Sequence, residues 1–296
     1  MRIPVVSHTA LSLVILGALS TVSLLSAQTP LIEQGRAAIN RGDSDGAVEI
    51  LKRAVAQSPK SAEAHFYLGS AYGVKAQSSG MFGAATYAAN VKEEFEQAVA
   101  LNPGYVDARY GLVEFYAAAP GFMGGSFDKA LDQAKAIKVI DPIAGHRAYA
   151  FIYLQQKKPD LAKKEYLDAI HEQPRSAKAH SFFGQYLAST EKNYSGAFGE
   201  FETALKADPG YMPPFYHLGR TAALAKTNLG RGEEGLKKYL AYTPKQNEPP
   251  LANAHYVLGT IYELQGKKAE AKLSYQAALK LNPFHKKAAE ALKGLS

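Results

Sequence analysis

"AHFYLGSAY" (residues 64–72) and "AHYVLGTIY" (residues 254–262) carry Ala, His, an aromatic, Leu, Gly and a closing Tyr at matching positions. Two copies of one phrase, so far apart in the chain, call for a structural cause that acts more than once. The prolines give the interval. Pro59, Pro103, Pro142, Pro174, Pro209, Pro244 and Pro283 each follow a polar or small residue, with spacings of 44, 39, 32, 35, 35 and 39. A proline pushes the residue before it out of the α region, so each marks the end of a helix.

Between consecutive prolines lie two helical stretches. The first carries the quoted phrase, and the second reads like "AFGEFETALKADP" (197–209). Gly35, Gly69, Gly184, Gly219 and Gly259 sit in the first helix, and Ala47, Ala130, Ala162, Ala197 and Ala271 open the second. Ala54, Ala98, Ala169, Ala204 and Ala278 follow further along, with Leu51, Phe95, Tyr166, Phe201, Leu236 and Tyr275 as the bulky residues of the second helix. Small side chains let two antiparallel helices approach closely, and the large ones fill the space between them. One such pair cannot bury its apolar face alone, so neighbours must stack. Self-similarity at this period is the mark of a solenoid.

On these residues the chain resembles the tetratricopeptide repeat family. That pattern has a bulky residue, Leu-Gly and Tyr in helix A, then Ala, an aromatic or Leu, Ala and Pro in helix B. Here it reads His65, Leu68-Gly69 and Tyr72, and again His255, Leu258-Gly259, Tyr262, Ala271, Tyr275, Ala278 and Pro283. The resemblance covers residues 28–296 and implies an all-α fold, a right-handed superhelical solenoid of antiparallel helix pairs. Seven units begin near residues 28, 62, 106, 143, 177, 212 and 252, and "FHKKAAEALKGLS" (284–296) looks like the extra capping helix of such arrays. Units 3 and 6 depart from the pattern, with Ala134 and Ile137 where large-then-small is expected and Tyr239 where Ala is expected. Loose packing or a shifted register is the expectation there. In the family, helix A lines a concave groove that holds a protein or peptide. The matching positions are Phe66, Ser70, Tyr110, Glu114, Arg147, Phe151, Ser181, Gln185, Tyr216, Arg220, Tyr256 and Thr260. Tyr and Arg among them make good anchors, joining large contact area to a polar tip.

Two units run long, by about ten residues within "GVKAQSSGMFGAATYAAN" (73–90) and about five within "AAAPGFMGGSF" (117–127). Both excesses read as loops between helix A and helix B, on a shared edge, each with Gly beside a Met and a Phe. Exposed, Met81, Phe82, Phe122 and Met123 would form an adaptable partner-binding surface; packed on one another, they would be core. "TPKQNEPP" (243–250) has no such apolar content and reads as a plain linker.

The N-terminus has a positive start at Arg2, an apolar run from Ala10 to Leu25 and then "SAQTP". This is the layout of a secretory signal peptide over residues 1–27. It places the remainder outside the cytoplasm, periplasmic or secreted, with membrane contact only if the segment stays uncleaved. Cysteine is absent, which excludes disulfides, thiolate nucleophiles and thiolate zinc sites. His65, His146, His180 and His255 share one position of helix A but belong to different units. Helix contacts space such positions by about 8–10 Å each, whereas zinc ligands converge to about 2.0–2.1 Å from the ion. The expectation is therefore core packing and no metal. Ser126 and Lys129 match an S-x-x-K pattern without its companion motifs, so Ser126 reads as a helix cap. No phosphate-binding loop or nucleic-acid motif occurs.

The reading is a non-enzymatic protein- or peptide-binding scaffold in an extracytoplasmic assembly, without cofactor. Two alternatives stand beside it. One is a small-ligand carrier or sensor whose pocket is closed by the loops 73–90 and 117–127. The other binds an anionic envelope polymer through the C-terminal units, since charge is uneven: net −1 over residues 28–219 and +7 from Arg220 onward.

Overall fold

Each proline-limited interval folds as two antiparallel α-helices. The computed structural model describes residues 30–245 and 247–295, apart from the side chains of Met81 and Phe82; the segment 1–27, read from sequence as a signal peptide, lies outside them. The helices are α1 (30–40), α2 (Ser44–Gln57), α3 (Ala62–Ser78), α4 (Gly80–Leu101), α5 (Val106–Ala118), α6 (Phe127–Ile140), α7 (Pro142–Gln155) and α8 (Pro159–Glu172). They continue with α9 (Ala177–Tyr186), α10 (Tyr194–Ala207), α11 (Pro213–Ala225), α12 (Leu229–Leu240), α13 (Leu251–Leu264), α14 (Lys268–Leu281) and α15 (Lys286–Gly294). No strand occurs among the described residues. The chain divides into two compact units, one carrying α1–α4 and the other α5–α15.

The small-against-large rule explains the close approach within each pair. A Cβ on Gly69 would lie 2.9 Å from the Phe95 ring, on Gly184 2.6 Å from Phe201, and on Gly259 2.5 Å from Tyr275. Gly35 meets Leu51 and Gly219 meets Leu236 in the same way. The glycine of helix A is the seat for the bulky residue of helix B.

The two departing units pack as tightly as the rest. In unit 3 the glycine position of helix A is Val113, and Val113, Ala134 and Ile137 are all fully buried. The large and small partners have changed places, so the volume is kept. In unit 6, Tyr239 is fully buried and its hydroxyl donates to the Pro249 carbonyl at 2.7 Å. Gly232 supplies the small residue near the start of α12, against Ala222.

The turns from helix A to helix B use the left-handed region. Gly42 and Gly266 both take φ 75° there, but Lys157, Lys192 and Lys226 hold φ 58°, 54° and 54°. A side chain makes that conformation costly, by about 1–2 kcal/mol. Glycine would remove the clash but would also loosen the unfolded chain. Lys226→Gly is therefore expected to raise stability by up to about 1 kcal/mol, read as a shift of the denaturant midpoint at constant m-value. An unchanged or lower midpoint would show that the Lys226 turn is unstrained.

The long second unit holds no loop. Its extra residues lengthen α3 and α4, which are 17 and 22 residues, and only Ser79 lies between them. Met81 and Phe82 thus fall in the first turn of α4 rather than on an inserted loop. The expected pocket-closing loop over 73–90 does not exist. The excess in unit 3 is a true connection, built on a 3-10 turn at Gly121–Met123. Ser126 caps α6 by accepting the Lys129 N–H at 3.3 Å.

Three of the four aligned histidines clip helix A to helix B. Nδ1 of His65, His146 and His180 lies 2.6, 2.7 and 2.6 Å from Glu94, Glu165 and Glu200. Nε2 of His65 and of His180 reaches the carbonyls of Pro59 and Pro174, both at 3.0 Å. The imidazole therefore also ties its helix to the proline turn that precedes it. His255 is half-buried and keeps no such carboxylate contact among the described residues.

Candidate functional site

Helices α5, α7, α9, α11 and α13 present one face to a shared hollow of about 560 Å³ within the second unit. Tyr110, Arg147, Gln185, Tyr216 and Arg220 line it, five of the residues assigned to the groove from sequence. A second hollow adjoins it and contains Tyr216, Arg220, Tyr256 and Thr260. Tyr216 and Arg220 belong to both, which makes the two hollows one groove.

The remaining assigned positions differ. Phe66 is buried, with its ring 5.8 Å from that of Phe95, so it is core and not groove. Ser70 turns its hydroxyl back onto the Phe66 carbonyl at 2.9 Å. Ser181 is fully buried, because Phe182 beside it takes the surface. Phe151 is half-buried with its ring 6.3 Å from Tyr110, and Glu114 is exposed. Phe122 is 90 % exposed at the tip of the 3-10 turn, and Met123 is half-buried. Phe122→Ala is accordingly expected to leave stability within about 0.5 kcal/mol of the parent chain, as thermal unfolding would read. A loss of several kcal/mol would mean that this ring is covered in solution.

Several groove residues escaped the sequence reading. Asp107, Ala144, Lys178, Pro213 and Asn253 lie three residues before Tyr110, Arg147, Ser181, Tyr216 and Tyr256, and all five line the first hollow. Residues three apart share a helix face, so stepping back one turn from the assigned positions finds them. The linker is the second omission. Asn247, Glu248, Pro249 and Pro250 form one wall of the hollow. The Tyr239 hydroxyl fixes that wall through Pro249, and the Asn247 side chain hydrogen-bonds Asp107 on α5. Nothing in "TPKQNEPP" alone signals this, because the anchors come from distant helices.

The groove is aromatic and cationic. The Arg147 guanidinium lies 4.3 Å from the Tyr110 ring centroid and 4.8 Å from that of Phe182. Such stacking holds the side chain while leaving its N–H edge open. Lys178 is committed to Asp141 at 2.5 Å. Burial pushes the Asp107 carboxyl and the Tyr216 hydroxyl up, and the Tyr211 hydroxyl up to about 12. His217 is buried against the groove, and its Nδ1 has no hydrogen-bond partner among the described residues. Burial first, then the Arg220 and Arg147 charges, push this imidazole down to about 3, so it is neutral.

Outside the groove the basic C-terminal units are partly neutralised. Lys237 and Lys267 converge on Glu233 at 2.7 and 3.3 Å. The Lys237 ammonium holds that carboxyl down to about 2.

Comparison with known proteins gives the class. Residues 252–285 match one tetratricopeptide repeat family model, and residues 32–72 and 152–211 match another of the same description. These stretches are tetratricopeptide repeats, and the helix pairs between them repeat the same small-against-large packing; such repeats suggest a scaffold for protein contacts. Anaphase-promoting complex subunit 7 of Arabidopsis thaliana is 28% identical over 133 residues, 43% of this chain and 22% of that protein. The structure of yeast Tom70 matches with a TM-score of 0.65 at 16% identity, over 90% of this chain and 53% of that one. The APC/C hetero-tetramer Cut9-Hcn1 matches with a TM-score of 0.51 at 15% identity, over 87% and 47%. The chain thus spans about half or less of the length of these relatives, and at such identities the structural likeness shows the fold alone.

Proposed function

We propose that this protein holds a protein or peptide partner in the groove of α5, α7, α9, α11 and α13, as a non-enzymatic scaffold outside the cytoplasm. One observation carries the reading. Large side chains with polar tips, Tyr110, Arg147, Arg220 and Tyr256, face a hollow instead of completing the core. Groups of this kind dominate the energetics of protein interfaces. The positive, apolar and small-residue order of the first 27 residues supports the extracytoplasmic setting. A small-ligand carrier is the second reading, favoured by the linker wall that narrows the groove to the volume of an ordinary ligand pocket.

The test is cross-linking in cells with Tyr110→Ala/Tyr256→Ala, both half-buried, against Phe122→Ala as control. The groove variant should lose a partner band that the control keeps, while both retain the parent helical spectrum. Equal capture by all three would remove the groove from the function. Fractionation of the tagged chain tests the setting: recovery in the cytoplasmic fraction alone overturns it.

A further inference from the structure

We propose that the groove receives an acidic segment of a protein partner, laid along Arg147, Arg220 and Lys287. The inference rests on the groove being the partner site and names the chemistry of its occupant.

Arg147 and Arg220 are half-buried, and neither has a carboxylate partner or hydrogen bond among the described residues. A guanidinium stays charged at any ordinary pH and offers five donors. Burying one in part without an acceptor is costly unless something else supplies it. Glu114, which is exposed, acts on Arg147 through space, and the two acids that line the first hollow are engaged. Glu248 accepts the Lys245 N–H at 2.8 Å, and Asp107 is bonded by Asn247 and pushed toward its neutral form by burial. The second hollow contains Arg220 and Lys287 and no Asp or Glu among its lining residues. His217, 9% exposed, adds an unpartnered Nδ1 beside Arg220.

The distribution of the cations selects the form of the ligand. They stand on α7, α11 and α15, and each helix contact adds about 8–10 Å. The charges of Arg147 and Arg220 both act on the His217 ring, so a compact anion could meet that pair, whereas an occupant that also meets Lys287 in the second hollow must run along the groove. An extended chain advances about 3.3 Å per residue and can bring successive acidic groups to all three. Tyr110 and Tyr256, both half-buried, give such a chain aromatic surface to lie on.

The experiment measures fluorescence anisotropy of the full chain with labelled deca-glutamate, and with random acidic, neutral and basic decapeptide pools. Deca-glutamate and the acidic pool should bind, more weakly as salt rises. Arg147→Gln and Arg220→Gln should each weaken binding tenfold or more, and Arg147→Lys and Arg220→Lys less. Lys272→Gln/Lys280→Gln, which removes two exposed charges elsewhere, should change it less than twofold. Inorganic phosphate should compete no better than sodium chloride of equal ionic strength. The proposal is overturned if deca-glutamate does not bind, if the arginine variants bind as the parent does, or if phosphate displaces it specifically. It is overturned as well if polyphosphate binds tighter and its loss follows the lysine pair. Binding of the neutral or basic pool, abolished by Tyr110→Ala/Tyr256→Ala, would remove the acidic occupant and leave the groove reading intact. Binding of no pool would remove both.

Discussion

Replacing Phe201 with alanine is expected to lower the free energy of unfolding by about 3–5 kcal/mol. The ring is fully buried between α9 and α10, where Gly184 leaves it room, and it stacks on His217 of the next helix pair at 5.6 Å between centroids. One side chain thus joins the two helices of its own pair and couples that pair to its neighbour. Such nearest-neighbour contacts carry the stability of a repeat array. The cavity left behind cannot collapse, because the helices are held apart by the pairs on either side. A companion series separates lost contact from lost fit. Gly184→Ala should cost about 1–3 kcal/mol, since the added Cβ would meet the Phe201 ring. Combined with Phe201→Leu, the same change should cost less than the sum of the two single changes, because the smaller side chain vacates the contested space. Chemical denaturation of the four chains gives the cycle. Strict additivity would show that Gly184 and Phe201 do not share that space.

That contact was legible in the sequence because both partners lie within one repeat, and the register repeats it. Gly69 against Phe95 and Gly259 against Tyr275 follow the same spacing. Features that depend on another repeat were not legible. Tyr239 reads as a misfit until the Pro249 carbonyl arrives from the linker to receive its hydroxyl. The long second unit was misassigned for a different reason. Residue count reveals an insertion but not its direction, and Ala84, Ala85, Ala88 and Ala89 are strong helix formers that extend α4 backwards. Seven of the lining residues followed from the family's helix A positions. Others lay one helical turn earlier, at residues such as Asp107 and Asn253, on the linker, or at the start of α15.

Acid should destabilise the compact unit of α5–α15 steeply, and His217 should be a principal cause. Its imidazole is pushed down to about 3 in the folded chain, first by burial and then by the charges of Arg220 and Arg147. In the unfolded chain it returns to about 6.5. Between those values the unfolded state binds the proton and the folded state does not, so stability falls as pH falls. The contribution is fully present above about pH 6.5, and about 4–5 kcal/mol of it is gone by about pH 3. The groups facing the ring explain why no rearrangement rescues it. Phe201 covers one side, Tyr216 meets its edge, and the charged neighbours are both cations. His217→Phe keeps a planar ring and gives up both ring nitrogens, of which Nδ1 has no partner among the described residues. That variant should match the parent near pH 7 and exceed it increasingly below pH 6. Carboxylates such as Glu233, held low by Lys237, titrate in both chains and cancel in the difference. Urea unfolding at a series of pH values provides the comparison. A difference between the two chains that stays flat from pH 7 to pH 4 would show that His217 is protonated in the folded groove, and that the two arginines do not confront it as the structure has them.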